Sequence, residues 1–310
     1  MNGAASVNGA ASNDGPVLVV VAHGGPLEAK AALLVASIRT VLPVTQRIRI
    51  AVPEPVERWG ALSPAMRRLL DALEIATVPT RNRIDDEYPH GNKISAMEGL
   101  HEPCVFLDSD MLVVRPFALP AIPGEADAAA KLADGSTYER RGGNWSVAYG
   151  MFDLPTPPRD AIASYTGERM HPYYNAGFVA ARDGDALARA WADTARGLDA
   201  NAAVQNKRPW LDQVALPVAF ARLGWSVATL DESLNFPGHI RREQAADFAV
   251  LHYHDPRVIA FFPQAAAMAR DLVARVPGLR AVREPRDVWR EMLASESASD
   301  ASSRPAAAVG

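Results

Sequence analysis

The stretch Val105-Phe106-Leu107-Asp108-Ser109-Asp110-Met111-Leu112-Val113-Val114 decides how this chain is read. Successive side chains of an extended strand alternate faces, so the spacing predicts Asp108 and Asp110 on one side and Ser109 on the other. Two carboxylates together at the end of a buried strand repel each other and lose hydration. A divalent cation, a basic partner or full hydration must then offset their charge. A solvated surface turn is the competing reading of any Asp-x-Asp triplet. Apolar runs on both sides argue against it, because strands that deliver polar groups to a site at their carboxyl ends look like this in open α/β sheets.

Upstream of this stretch, apolar runs alternate with helical patterns. Strands are expected at 17–22, 48–52 and 75–78, and helices at about 27–41 and 63–73, with a further helix opened by Gly91-Asn92 that carries Lys93. Strand starts recur at roughly the 30-residue length of a βαβ unit. The expected fold class is therefore α/β, with a doubly wound, mainly parallel central sheet flanked by helices and joined by right-handed crossovers. Downstream the rhythm breaks into a polar, glycine-rich segment at 134–144 and a proline-rich one at 154–159, followed by an apolar strand at 176–181. Helices at about 185–195 and 210–223, strands near 226–230 and 248–253, and helices at about 263–275 and 285–293 complete the pattern. The last two carry mixed apolar and basic faces. Docking on the main domain is their expected role, and peripheral contact with the inner face of a membrane is the alternative. Residues 1–16 and 295–310 are small-residue tracts with too little apolar bulk to pack, which predicts disordered tails around a single domain over 17–294.

The chain has 310 residues, 48% of them hydrophobic, enough for a sizeable core. A net charge of −4 with acids and bases well mixed leaves no polycationic surface for nucleic acid. One cysteine, Cys104, allows neither a disulfide framework nor a cysteine zinc site, and its place in the apolar run before Asp108 predicts a buried, inert thiol. No stretch approaches the roughly 18 uninterrupted apolar residues of a membrane span, and residues 1–16 lack the regions of a signal peptide, so a cytoplasmic location is expected. Only four lysines occur, Lys30, Lys93, Lys131 and Lys207, so each one near a site raises the question of its role.

Several later motifs carry chemistry. His252-Tyr253-His254 ends the last expected strand, and alternation puts both imidazoles on one side. An imidazole beside Asp108 and Asp110, with positions left open for phosphate oxygens, suits Mn²⁺ or Mg²⁺, and the nitrogen donor leans the choice to manganese. Asn175, in Tyr173-Tyr174-Asn175-Ala176-Gly177-Phe178-Val179, is either a turn cap or a binding amide. Asp212 and Gln213 fall on the first turn of a helix, where Asp212 either complements the helix dipole or, with Gln213, grips sugar hydroxyls. Lys93 is either a phosphate ligand or a surface lysine. His23-Gly24-Gly25 ends the first strand in a tight turn with room for a base or ribose. It lacks the G-x-G-x-x-G spacing, and the chain has neither a G-x-S-x-G elbow nor a P-loop.

In this order, with Lys93 on the preceding helix, then FLDSD, NAGF, LDQ, Leu234-Asn235 and a late LHYH, the motifs over residues 17–262 resemble the GT-A-fold glycosyltransferases. The likeness is greatest to the retaining family 8 type that includes glycogenin and bacterial lipopolysaccharide galactosyl- and glucosyltransferases. The resemblance implies a nucleotide-binding half at about 17–115, an irregular acceptor-binding half at about 116–262, and C-terminal helices at 263–294. It implies transfer of a sugar from a nucleotide diphosphate sugar, with UDP the family's habit, to a carbohydrate, glycolipid or other hydroxyl acceptor, with retention. Asp108 and Asp110 would hold the metal against the diphosphate with His252 as third ligand, and Lys93 would touch phosphate. Ser109 lies within that donor-binding triplet, and Asn175, Asp212 and Gln213 fall where the family contacts the donor sugar and reacting centre. The family's late Gly-Lys-Pro-Trp is absent; His254-Asp255-Pro256-Arg257-Val258 stands there, so Arg257 is the expected replacement for the lysine. The alternatives are a nucleotidyltransferase, which should carry an arginine in the first glycine-rich loop where His23-Gly24-Gly25-Pro26 has none, and a sugar-nucleotide-binding protein without turnover.

Overall fold

The computed structural model describes residues 15–120, 124, 126–243 and 245–282. The helix expected at 285–293 and the tails, apart from Gly15 and Pro16, lie outside them. In chain order the elements are β1 (Val17–Val21), α1 (Pro26–Val41), β2 (Ile48–Glu54), α2 (Val56–Trp59), α3 (Pro64–Ala72), β3 (Ala76–Arg81), α4 (Gly91–Ser95), β4 (Cys104–Leu107) and β5 (Met111–Val113). These are followed by β6 (Ala128–Leu132), α5 (Thr137–Arg140), α6 (Trp145–Gly150), β7 (Ala161–Ile162), β8 (Arg169–Met170), β9 (Tyr174–Ala181), α7 (Gly184–Ala200), α8 (Leu211–Leu223), β10 (Val227–Thr229), β11 (Phe236–Pro237), β12 (Val250–His252) and α9 (Pro263–Arg275).

Seven strands form the central sheet in the order β10-β6-β9-β4-β1-β2-β3. The β4-β1-β2-β3 half is parallel throughout, as the βαβ spacing predicts. Beyond it β9 runs antiparallel to both β4 and β6. Strand β1 is buried along its length and alternates sides, Leu18 and Val20 joining one core cluster and Val17, Val19 and Val21 the other. Helices α1, α3 and α9 cover the first face, and α7 and α8 the second. A strand sandwiched this way reads as a continuous apolar run, which is how the sequence VLVVV reads. Strand β3 lies at the sheet edge, where Pro79 is tolerated.

Several expectations need correction. The strand ends before the carboxylate pair, so Asp108–Asp110 are not the extended segment that alternation requires: β4 stops at Leu107, a turn follows, and Met111–Val113 pair with β12 in a separate three-stranded sheet, β11-β12-β5. The second half is more regular than its polar composition suggests. Strand β6 was hidden in Ala-Ala-Ala-Lys-Leu, because alanine is a poor strand former by propensity yet fits between β9 and β10. Segment 134–144 contains α5, pinned by buried Tyr138 against Trp145 with ring centroids 4.8 Å apart.

Cys104 is buried and its thiol is pushed up to about 12, chiefly by burial, as an inert cysteine should be. The apolar face of α9, with Ala265, Ala269 and Leu272, is taken up in the core beside α1. Among the described residues, no helix is long and apolar enough to cross a membrane.

Candidate functional site

Strand order reverses between β1 and β4, and ligands of open α/β sheets bind outside the carboxyl ends of strands at such a point. Because β9 is antiparallel, its first residues lie at that same end. The backbone N–H of Asp108 donates to Gly177 O at 2.7 Å, and the register pairs Leu107 with Phe178. From the second sheet, β12 pairs His252 with Met111, and the N–H of Tyr253 donates to Asp110 O at 3.0 Å. Two motifs far apart in sequence are thus tied to the 108–110 turn by backbone hydrogen bonds. Ser109 turns inward although the segment is a turn and not extended strand: it is buried and its hydroxyl donates to Val21 O at 2.5 Å.

Around this turn lies a cavity of about 580 Å³, within the usual range for small-molecule sites. Asp108, Ser109, Asp110, Lys93, Asn175, Asp212, Gln213, His252 and His254 all line it, so nine of the ten expected site residues meet in one place. Arg257 is the exception. Its guanidinium is exposed and forks onto Asp255, with Nε to Oδ1 at 3.0 Å and Nη2 to Oδ2 at 2.6 Å. A cavity of about 560 Å³ between α3 and the β2–β3 edge has only exposed charged residues, Glu54, Arg67 and Asp71, and no converging buried groups.

One side of the site is a buried charge cluster. Lys93 Nζ lies 3.0 Å from Asp108 Oδ2 and 3.2 Å from Asp212 Oδ2. Burial alone would lower the Lys93 pKa, but the two carboxylates outweigh it and raise it. Burial likewise works against the charge on Asp212, and Lys93, His90 and Tyr88 overcome it, so the carboxyl stays below its ordinary range. Tyr88 Oη accepts the N–H of Asp212 at 2.9 Å and lies 2.9 Å from its Oδ1, while Trp191 Nε1 donates to Asp212 O at 2.8 Å. Asp212 is a fixed, buried anion. Lys93 sits in the last turn of a five-residue helix and is spent on carboxylates.

The other side gathers nitrogen donors. His252 is 2% exposed, and its Nε2 makes no hydrogen bond although it lies 3.2 Å from Asp110 Oδ1 and 3.8 Å from Asp108 Oδ2. Its Nδ1 lies 3.0 Å from Asn235 Oδ1. The N–H of Gly177 donates to Asn175 Oδ1 at 2.9 Å, and Asn235 Nδ2 donates to the same oxygen at 3.1 Å. Since a backbone N–H can only donate, it orients both amides in turn, and the proton of His252 belongs on Nδ1 with the Nε2 lone pair facing the carboxylates. Burial and the neighbouring His254 lower the His252 pKa, which keeps the ring neutral. His254, at a left-handed φ of 56°, turns its ring beside that of His252, centroids 4.0 Å apart, with Nδ1 3.4 Å from Asp110 Oδ2.

Among the described residues, Asp110, His252 and His254 bring ligand atoms within 4.8 Å of one another. Carboxylate oxygens facing a buried imidazole lone pair form a donor set able to hold a divalent cation, and Asn235 supplies the kind of orienting partner that a ligating histidine has. Sequence reasoning missed Asn235 as that partner, and also Tyr88, Lys30 and His239. Lys30 Nζ donates to His254 O at 2.5 Å and lies 3.6 Å from Asp110 Oδ2. The scarcity of lysine was its one signal. An adjoining cavity of about 430 Å³ shares Asn175, Trp210, Gln213 and His254 and extends to Asp134, Arg140, Tyr165 and His239.

The model of the Rhodobacterales glycosyltransferase domain family matches residues 18–224. No curated protein matches the chain. Among solved structures, the apo bifunctional glycosyltransferase WbbM is similar at 14% identity and a TM-score of 0.51 over 87% of this chain and 51% of its own, so the chain spans about half its length. The galactosyltransferase LgtC in complex with donor and acceptor sugar analogues is similar at 16% identity and a TM-score of 0.50, over 89% of this chain and 99% of its own. At such identities the likeness is one of fold, and that fold is GT-A.

Proposed function

This chain belongs to the Rhodobacterales glycosyltransferase domain family and is a glycosyltransferase of GT-A fold; from that premise we propose that it moves a sugar from a nucleotide diphosphate sugar, a UDP-sugar by family habit, to an acceptor hydroxyl, with a divalent metal and with retention. Family membership displaces the nucleotidyltransferase alternative. The observation that carries the metal-dependent reading is the buried, unpartnered Nε2 of His252 aimed at Asp108 and Asp110.

Asp108, Asp110 and His252 would hold the metal, with His254 beside Asp110 as a further nitrogen donor, and the imidazoles favour Mn²⁺ over Mg²⁺. When bound, the ion supplies Lewis-acid stabilisation of the departing diphosphate. Asp212, kept ionised by Lys93 and Tyr88, presents a fixed negative charge to the anomeric carbon as it becomes oxocarbenium-like, and such preorganised charge needs no rearrangement during the reaction. The bond from anomeric carbon to diphosphate oxygen breaks with its electron pair on the diphosphate. The acceptor oxygen bonds to the anomeric carbon from the same face, and its proton passes to the departing diphosphate. Gln213 and Trp210 border both cavities, so a donor sugar in one and an acceptor in the other would meet there.

The test is a panel of nucleotide sugars assayed for Mn²⁺-dependent hydrolysis, since water can slowly replace the acceptor. One donor should be cleaved only with metal, and Asp110→Ala should abolish cleavage while the protein stays folded by circular dichroism. Cleavage of no donor, or full activity in the variant, refutes the reading.

A further inference from the structure

Each carboxylate of the 108–110 turn has its own lysine, drawn from a different helix. Lys93, on α4, is sandwiched between Asp108 and Asp212 with its side chain only 10% exposed. Lys30, one turn into α1, faces Asp110, and Pro26 and Leu27 at the start of that helix line the same cavity. The two ammonium groups differ in what they have left to give. Lys93 bonds buried Asp212 and partly exposed Asp108 and is held in place by both. Lys30 donates to the carbonyl of His254 and stands 3.6 Å from Asp110, beyond the reach of a good charge-assisted hydrogen bond, so it keeps donors for a further acceptor. Its side chain is 20% exposed, open to the cavity side of the cluster.

Charge balance points the same way. Among the described residues, Asp108, Asp110 and Asp212 line the cavity with three negative charges, and Lys30 and Lys93 are the only lysines or arginines that line it. A divalent ion turns that excess of one negative charge into an excess of one positive charge, which suits an anion of two phosphates. Its oxygens then need a hydrogen-bonding cation on the Asp110 side, where the metal ligands lie. Arg257 is forked onto Asp255 away from the cavity, and Lys93 is committed on the Asp108 side.

We infer that Lys30 is the residue of this chain that grips the donor's diphosphate, reaching it from the first helix, where the sequence pattern would have placed a cation after the last strand. The inference rests on the nucleotide-sugar reading above. In the transfer step Lys30 donates N–H bonds to the diphosphate as the electron pair of the breaking bond moves onto it. No proton leaves the lysine.

The test measures binding of UDP, CDP, GDP and ADP, and of the matching monophosphates, by calorimetry to the Mn²⁺-loaded full chain and to Lys30→Ala and Lys30→Arg. Mn²⁺ affinity without nucleotide is followed by electron paramagnetic resonance. Lys30→Ala should weaken the preferred diphosphate roughly 10- to 100-fold, as loss of a hydrogen bond from a charged group does. The monophosphate should weaken far less, metal affinity should stay within about threefold, and Lys30→Arg should recover part of the loss. If the wild-type chain binds a diphosphate and Lys30→Ala binds it equally well, the inference falls and the glycosyltransfer reading stands. If monophosphate, diphosphate and metal all weaken together, Lys30 merely supports His254 and Asp110, and the inference falls as well. Binding of no nucleoside diphosphate by the wild-type chain overturns both.

Discussion

Asn235 Oδ1 lies 3.0 Å from His252 Nδ1, and this contact decides which edge of the imidazole is free. The Gly177 amide orients Asn175, which orients Asn235, which claims the His252 proton. Asn235→Leu keeps the bulk but removes the acceptor, leaving Nδ1 buried without a partner and the tautomer undetermined. Loss of an orienting partner typically costs 10- to 100-fold in metal affinity. Titration of Mn²⁺ by paramagnetic resonance should show a loss of that order, and undiminished affinity would remove His252 from the metal site.

Gly177 faces the same ring from β9. A Cβ there would stand 2.7 Å from His252 Cε1 and 3.0 Å from both Asp108 Oδ2 and Asn175 Oδ1, closer than carbon tolerates. Its backbone is ordinary strand, so the reason for glycine is close approach. Gly177→Ala should therefore leave the fold intact by circular dichroism yet lower Mn²⁺ affinity and donor hydrolysis at least tenfold, because His252 and Asp108 must move apart. Wild-type kinetics in this variant would mean that their present separation does not matter.

Much of the site was legible because strand ends carry it. Asp108–Asp110, Asn175 and His252 each abut an apolar run, and a run ending in polar groups shows in sequence. What joins them is non-local: the antiparallel course of β9, which brings Gly177 to Asp108, and the pairing of β12 with β5. No local pattern encodes strand direction. Arg257 was expected in the site from its nearness in sequence to His252, yet Asp255, two residues before it, captures the guanidinium. Lys30 was hidden for the opposite reason: it lies on an α1 turn whose other residues are largely core, and only the packing of α1 against β5, which directly follows Asp110, brings it there. Strand β6 escaped notice because alanine packs there by size, which propensity does not register.

Lys93 neutralises two carboxylates that would otherwise face each other in a low-dielectric setting. Lys93→Met preserves the stem's packing and deletes the charge. Removing one partner of a buried ion pair costs about 3–5 kcal/mol, and the partial exposure of Asp108 places this case near the lower figure. At roughly 2–4 °C per kcal/mol for a domain of this size, melting should fall by about 6–12 °C. A calorimetric scan with a shift below about 2 °C would show that the cluster is not a structural tie.

Asp212 makes the same cluster sensitive to acid. Although burial disfavours its charge, Lys93, His90 and Tyr88 bring its pKa below the ordinary 3.8. A carboxyl depressed in the folded state takes up its proton more readily when unfolded, so its contribution to stability is complete above the ordinary value. That contribution drains away as pH falls through the lower folded value. Asp212→Asn removes the charge and this dependence together. The variant should be less stable than the wild-type chain at pH 6, by about 1–3 kcal/mol for a lost charged hydrogen bond, and the gap should narrow as the buffer is taken toward pH 3. Urea midpoints at closely spaced pH values between these limits decide it: parallel curves would mean that Asp212 titrates normally, whereas converging curves show that Lys93 holds it ionised. Donor hydrolysis at pH 7 should fall in Asp212→Asn by roughly 10²- to 10³-fold, the usual cost of deleting a preorganised electrostatic group beside a charged transition state.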